Sequence, residues 1–146
     1  AGLAVFRDHA FEEPVTLMAS LNAGMTGTRG GAAAVAQYDG ATGVLRYSGI
    51  GNIAGGLITL EGSRGLASHP GIVGLHARRA QSFDFPASRD KLLVMYSDGL
   101  QSRWNLKEYP GLAIRHPAVV TALLFRDFNR ERDDITLLAM TLGSGL

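Results

Sequence analysis

Leu92-Leu93-Val94-Met95-Tyr96-Ser97-Asp98-Gly99 is the stretch that decides how this chain is read. Six residues of mostly apolar character, bounded by Asp-Gly, describe a buried strand that stops at a tight turn. A second stretch answers it near the end of the chain, where Arg132-Asp133-Asp134 opens the run Ile135-Thr136-Leu137-Leu138-Ala139-Met140. A buried strand has no use for an ionised carboxylate at its mouth unless something pairs with it. Two such groups about 4 Å apart repel by roughly 4 kcal/mol at an effective dielectric near 20, and a divalent cation turns that repulsion into attraction. The plainer alternative is a pair of solvated turns, because Asp-Gly is also a common way to end a strand and Asp-Asp after Arg suits a loop with a salt bridge.

Working outward, Gln101 to Tyr109 reads as a loop or short helix. Pro117 starts a helix whose Val120, Leu123, Leu124 and Phe128 share one face while Arg126, Asp127 and Arg130 point away. Upstream, Ala32 to Tyr38 and Val44 to Ser48 flank Asp39-Gly40 and read as a hairpin. Ala54 to Leu60 reads as a further strand turning at Glu61-Gly62, and Gln81 to Phe85 as a half-buried strand ending at Pro86. Ser63 to Ala80, with its glycines and Pro70, reads as loop. Leu3 to His9 reads as the end of one helix. Pro14 opens another in which Leu17, Met18, Leu21 and Met25 recur at helical spacing, closed by Gly24 and Gly27. The small residues from Gly30 to Ala36 and Gly49 to Gly56 ask for close packing or for backbone approach to a site. His69 and His76, seven apart, share neither a helical turn nor a strand face, so their use as metal ligands has little support.

Composition sets wide bounds. The 146 residues suggest one domain spanning 1–146, and chains near that length bury about 68–70% of their unfolded surface. A net charge of +1 with scattered basic residues gives no footprint for nucleic acid, and no apolar run approaches the ~18 residues of a membrane span. The chain has no cysteine, which excludes disulfides, thiolate metal sites and cysteine nucleophiles and accords with a cytoplasmic setting.

The motifs together resemble a known family. Thr28-Arg29-Gly30-Gly31-Ala32, Tyr47-Ser48-Gly49-Ile50-Gly51-Asn52-Ile53-Ala54-Gly55, the Asp98-Gly99 stretch, Tyr109-Pro110-Gly111-Leu112 and Arg132-Asp133-Asp134-Ile135-Thr136 are similar, in order, to the C-terminal portion of the metal-dependent (PPM-type) protein serine/threonine phosphatases. The likeness is to the bacterial SpoIIE-like and RsbX-like branch. It implies an α+β fold of two stacked antiparallel β-sheets flanked by helices, with metals at one end. It also implies two Mn²⁺ or Mg²⁺ ions that activate a water against phosphoserine or phosphothreonine on a regulatory protein of the anti-anti-sigma or stressosome class. By the same resemblance Asp98 and Asp133 become metal ligands, Asp134 a further ligand or its neighbour, and Gly99, Gly51 and Asn52 near-site residues. Arg103, beside them, is a candidate for substrate phosphate, with a structural salt bridge as the plainer use.

Two departures accompany the resemblance. Asn52 stands where many eukaryotic members carry aspartate. The family's early Asp-Gly-x-Gly motif is absent from these residues, which leads to an expectation of N-terminal strands ahead of Ala1 and of little activity from residues 1–146 alone; full activity would instead mean that Asp39 or Asp8, the only upstream candidates, has taken the bridging role. A fold kept for binding phosphoprotein without turnover is the competing expectation.

Overall fold

A computed structural model describes residues 1–59, 61–75, 79–87 and 91–143. The described elements are helices α1 (Gly2–His9), α2 (Pro14–Gly24) and α3 (Pro117–Phe128) and strands β1 (Ala33–Asp39), β2 (Val44–Ile50), β3 (Ile53–Ile58), β4 (Ser63–Ala67), β5 (Phe83–Pro86), β6 (Lys91–Ser97) and β7 (Leu137–Leu142). Two antiparallel sheets, ordered β1-β2-β5 and β4-β3-β6-β7, make the class α+β. The chain divides into two compact units, Ala1–Ile53 with Ala67–Pro86, and Ala54–Leu66 with Ala87–Leu146.

The first unit is built on a local hairpin. Asp39 pairs with Val44 at the turn and Ala33 with Ile50 at the far end, a register the two-residue period of the strands maintains throughout. The Asp39 carboxylate accepts from the amides of Ala41 (2.9 Å) and Thr42 (3.4 Å), an Asx turn that closes the hairpin. Pro14 needs no amide partner at the start of α2, and the helix turns Leu17, Met18 and Leu21 inward onto Ile50 and Val73. Full burial of side chains this size contributes about 1.5–3 kcal/mol each.

The second unit has its own core of Ile58, Leu92, Val94, Leu106, Leu112, Val120 and Leu124. β6 pairs with β7 from Lys91–Leu142 to Tyr96–Leu137, and α3 packs Val120 and Leu124 inward with no exposed surface. Around this core Tyr96 meets Trp104 edge-on and Tyr109 meets Phe128 likewise, contacts of about 0.5–1.5 kcal/mol beyond area.

The hairpin, α1, α2 and α3 stand where the sequence puts them to within one or two terminal residues, β2 running on to Ile50 past the expected Ser48. Ser63 to Ala67 is a correction, since this part of the expected loop is strand β4. Its single large apolar residue, Leu66, is 1% exposed while its other four residues face solvent, so there was no alternation to read. The final strand begins at Leu137 rather than Ile135: its last pair with β6 is Tyr96–Leu137, and the chain bends at residues 131–133 just before. The strand expected through Leu60 is described as far as Ile58. Leu60 and His76 lie outside the described residues.

Candidate metal centre

β6 carries buried Leu92, Leu93 and Val94 through the second unit and surfaces at Ser97. Two hydrogen bonds continue the β6–β7 ladder past its last strand pair. The Ser97 amide donates to the Thr136 carbonyl (3.0 Å), and the Ser97 hydroxyl accepts from the Thr136 amide (2.9 Å). That hydroxyl then donates toward the Asp134 carbonyl at 3.4 Å. One serine therefore fixes the segment holding Asp133 and Asp134 against the segment holding Asp98.

Gly99 explains how closely they pass. A Cβ there would lie 2.5 Å from the Asp134 carbonyl oxygen and 2.7 Å from the Ile135 side chain, so only glycine admits the crossing. On its other side the turn is held by the Arg130 amide, which donates to the Gly99 carbonyl (3.0 Å), and by the Gln101 amide, which donates to the Phe128 carbonyl (2.9 Å). Leu100 bridges Asn129 between them.

Asp98, Asp133 and Asp134 are all exposed at this mouth. One Asp133 oxygen accepts from the Asp134 amide at 2.9 Å, which orients that carboxylate. Carboxylate oxygens are the donors that Mg²⁺ and Mn²⁺ take, so the donor type fits. The number fits only in part: among the described residues, no group of three or more His, Asp or Glu side chains is placed to hold an ion. The residues present can supply part of a shell, with water completing it.

The other candidates are distributed differently. Gly51 and Asn52 belong to the first unit, where they line a cavity of about 640 Å³ together with Arg29 and Ser68. Gly51 has φ +99°, and a Cβ on it would sit 2.6 Å from that of Ala32, so this glycine answers to packing. His69 stacks on Phe83 with centroids 5.7 Å apart, and its backbone bonds Gly49 and Gly51. Asp39 closes its own turn. Arg103 makes no ion pair with another described residue; it lines a concavity of about 550 Å³ with Arg130 and Arg132. Ser97 was not among the residues the sequence singled out, although it sits inside the Ser-Asp-Gly motif and β-strand ends commonly need a hydroxyl to satisfy a free amide.

The family profile for stage II sporulation protein E (SpoIIE) matches residues 4–143. The chain belongs to the SpoIIE family, of the PPM-type, RsbX-like phosphatase group. Solved structures agree on the fold. A chain from work on the bacterial stressosome, a modular system adapted to control secondary messenger signalling, aligns at a TM-score of 0.79 and 21% identity over 94% of this chain and 72% of its own. RsbX in complex with magnesium gives 0.77 and 16% over 93% and 68%. The SpoIIE phosphatase domain of Bacillus subtilis, Mn presoaked, gives 0.59 and 15% over 79% and 58%. No curated protein matches the chain.

Proposed function

We propose that this SpoIIE-family domain is a metal-dependent protein serine/threonine phosphatase acting on a phosphorylated regulatory protein, of the anti-anti-sigma or stressosome class. The carrying observation is the Ser97 lock, which ties the strand end before Asp98 to the Asp133–Asp134 segment at the end of β6. Family membership and the magnesium and manganese seen with RsbX and the SpoIIE phosphatase domain support the same reading. Asp98 and Asp133 would hold Mn²⁺ or Mg²⁺, with Asp134 adjoining, and a bound ion would supply an acidic water near neutral pH. The chain's own part is positional. Ser97 and Gly99 set the spacing of the carboxylates, the Asp134 amide orients Asp133, and Arg103 can offer a fork of donors to substrate phosphate. Nothing among the described helices is long and apolar enough to cross a membrane.

A second reading, phosphoprotein binding without turnover, is favoured by the shortage of carboxylates. No Asp-Gly-x-Gly occurs in these residues, and the described side chains form no three-ligand group. Mn²⁺-dependent hydrolysis of p-nitrophenyl phosphate by the protein carrying this domain decides between them. Asp98→Asn should lower turnover at least ~100-fold while leaving the thermal midpoint nearly unchanged, since an exposed amide can accept hydrogen bonds but cannot offset the ion's charge. Wild-type turnover in that variant removes Asp98 from the site. No turnover in the wild type, with phosphopeptide still bound, establishes the second reading.

A further inference from the structure

Beside the aspartate mouth, the concavity of about 550 Å³ is walled by Arg103, Arg130 and Arg132, with Glu131 the one acidic residue among its lining. No described residue gives these three guanidinium groups a hydrogen bond or an ion pair. Lone exposed arginines are ordinarily solvated and mean little. Here three share one hollow in a chain whose net charge is only +1. The hollow is also held in shape. Its two walls, residues 101–103 and 129–132, are joined by the Gln101–Phe128 and Arg130–Gly99 backbone bonds, and the Glu131 amide donates to Asn129 Oδ1.

We infer that this hollow docks an acidic segment of the phosphoprotein substrate, next to the phosphorylated residue. The inference rests on the phosphatase reading for the word substrate, but its physical content is the recognition of carboxylates. Guanidinium forks pair with carboxylates in a bidentate manner, and three of them around one cavity suit two or three Asp or Glu side chains on an extended peptide. Position supplies the adjacency: Arg130 bonds the residue after Asp98, and Arg132 precedes Asp133. A chain lying across the arginines therefore brings its neighbouring residue to the carboxylates. The same cations offset the repulsion between those carboxylates and an incoming phosphate dianion.

The test uses fluorescently labelled peptides that carry no phosphate, with no metal added, so that it stands apart from turnover. Anisotropy should show an Asp/Glu-rich peptide binding to the wild-type protein and its Asn/Gln counterpart binding at least tenfold more weakly. Raising salt from about 50 to 200 mM should weaken the acidic peptide alone. Arg130→Glu with Arg132→Glu should weaken it tenfold or more, while Arg130→Lys with Arg132→Lys should fall between, retaining charge without the fork. Equal affinity for the two peptides, or a charge-reversed variant that binds like wild type, overturns the inference. Should charge reversal unfold the protein, the wild-type comparison of acidic and neutral peptides decides alone. Acidic-peptide binding without Mn²⁺-dependent hydrolysis would keep the docking site and discard the phosphatase.

Discussion

The chain contains Asp-Gly twice, each time at or just past a strand end, and the two copies do different work. Asp39-Gly40 follows β1, and its carboxylate bends back to the amides of Ala41 and Thr42 two and three residues on. Asp98-Gly99 follows β6, and there the neighbouring serine ties the turn to the sheet: the Ser97 carbonyl accepts from the Leu100 amide, and the Ser97 hydroxyl accepts from the Thr136 amide. In the first case the partner strand is the next one in sequence. In the second it lies 39 positions away. A dipeptide therefore reports a turn, while the residue in front of it and the distance to the partner strand decide whether that turn closes a local hairpin or joins segments remote in sequence.

The widest separation between the two copies should appear in turnover. Asp39→Asn should leave Mn²⁺-dependent hydrolysis within about twofold of wild type, set against the ~100-fold loss expected for Asp98→Asn, both read with p-nitrophenyl phosphate. A comparable loss in both would give Asp39 a part in the site. Next comes Gly99→Ala. The Asp134 carbonyl must yield to the new methyl group, which should cost about 1–3 kcal/mol and lower the thermal midpoint by several degrees. A neutral result would mean that the Asp134 segment moves aside freely. Ser97→Ala removes one acceptor from the Thr136 amide and should cost about 1 kcal/mol in a urea melt, with a larger fractional loss of Mn²⁺ affinity.

The smallest effect is in acid. The Thr42 hydroxyl, then the amides of Ala41 and Thr42, hold the Asp39 carboxyl below its ordinary value of 3.8. A depressed carboxylate stabilises the fold fully above its unfolded pKa and loses that contribution as pH falls through the folded one, so the Asp39 share disappears below about pH 4. Asp127 behaves alike, brought from 3.8 to about 2 by hydrogen bonds from Arg126 and Tyr109. Stability measured from pH 5 to pH 2 should fall less in Asp39→Asn than in wild type. Equal slopes would mean that the unfolded chain keeps the same turn.

Sequence legibility followed the range of the interactions. β1 and β2 declare themselves because alternation and a turn motif lie within eighteen residues (33–50), and α2 and α3 because Pro14 and Pro117 open runs of helical period. Asp98 and Asp133 stood out as charges beside buried strands, and the structure brings their segments together. β4 escaped because an edge strand with one buried side chain carries no period. The Ser97 lock and the arginine hollow escaped for a different reason. Each is made by residues adjacent in space through β6–β7 pairing and the end of α3, and nothing in the spacing of Ser97, Arg103, Arg130 and Arg132 announces that they meet.

The ladder between Ser97 and Thr136 also dictates an order of manufacture. A ribosome that has released everything through Gly99 has delivered the β1–β2 hairpin and one of the candidate aspartates, yet the segment that carries the others has still to be made. α3, with Val120 and Leu124 in the second core, comes in the chain between this turn and the residues whose bonds hold it, Arg130 to Gly99 and Thr136 to Ser97. A chain that ends at Phe128 has none of the bonds that Arg130 and Thr136 make to this turn, and of the three candidate aspartates it has only Asp98. Residues 129 to 136 bring those bonds together with Asp133 and Asp134.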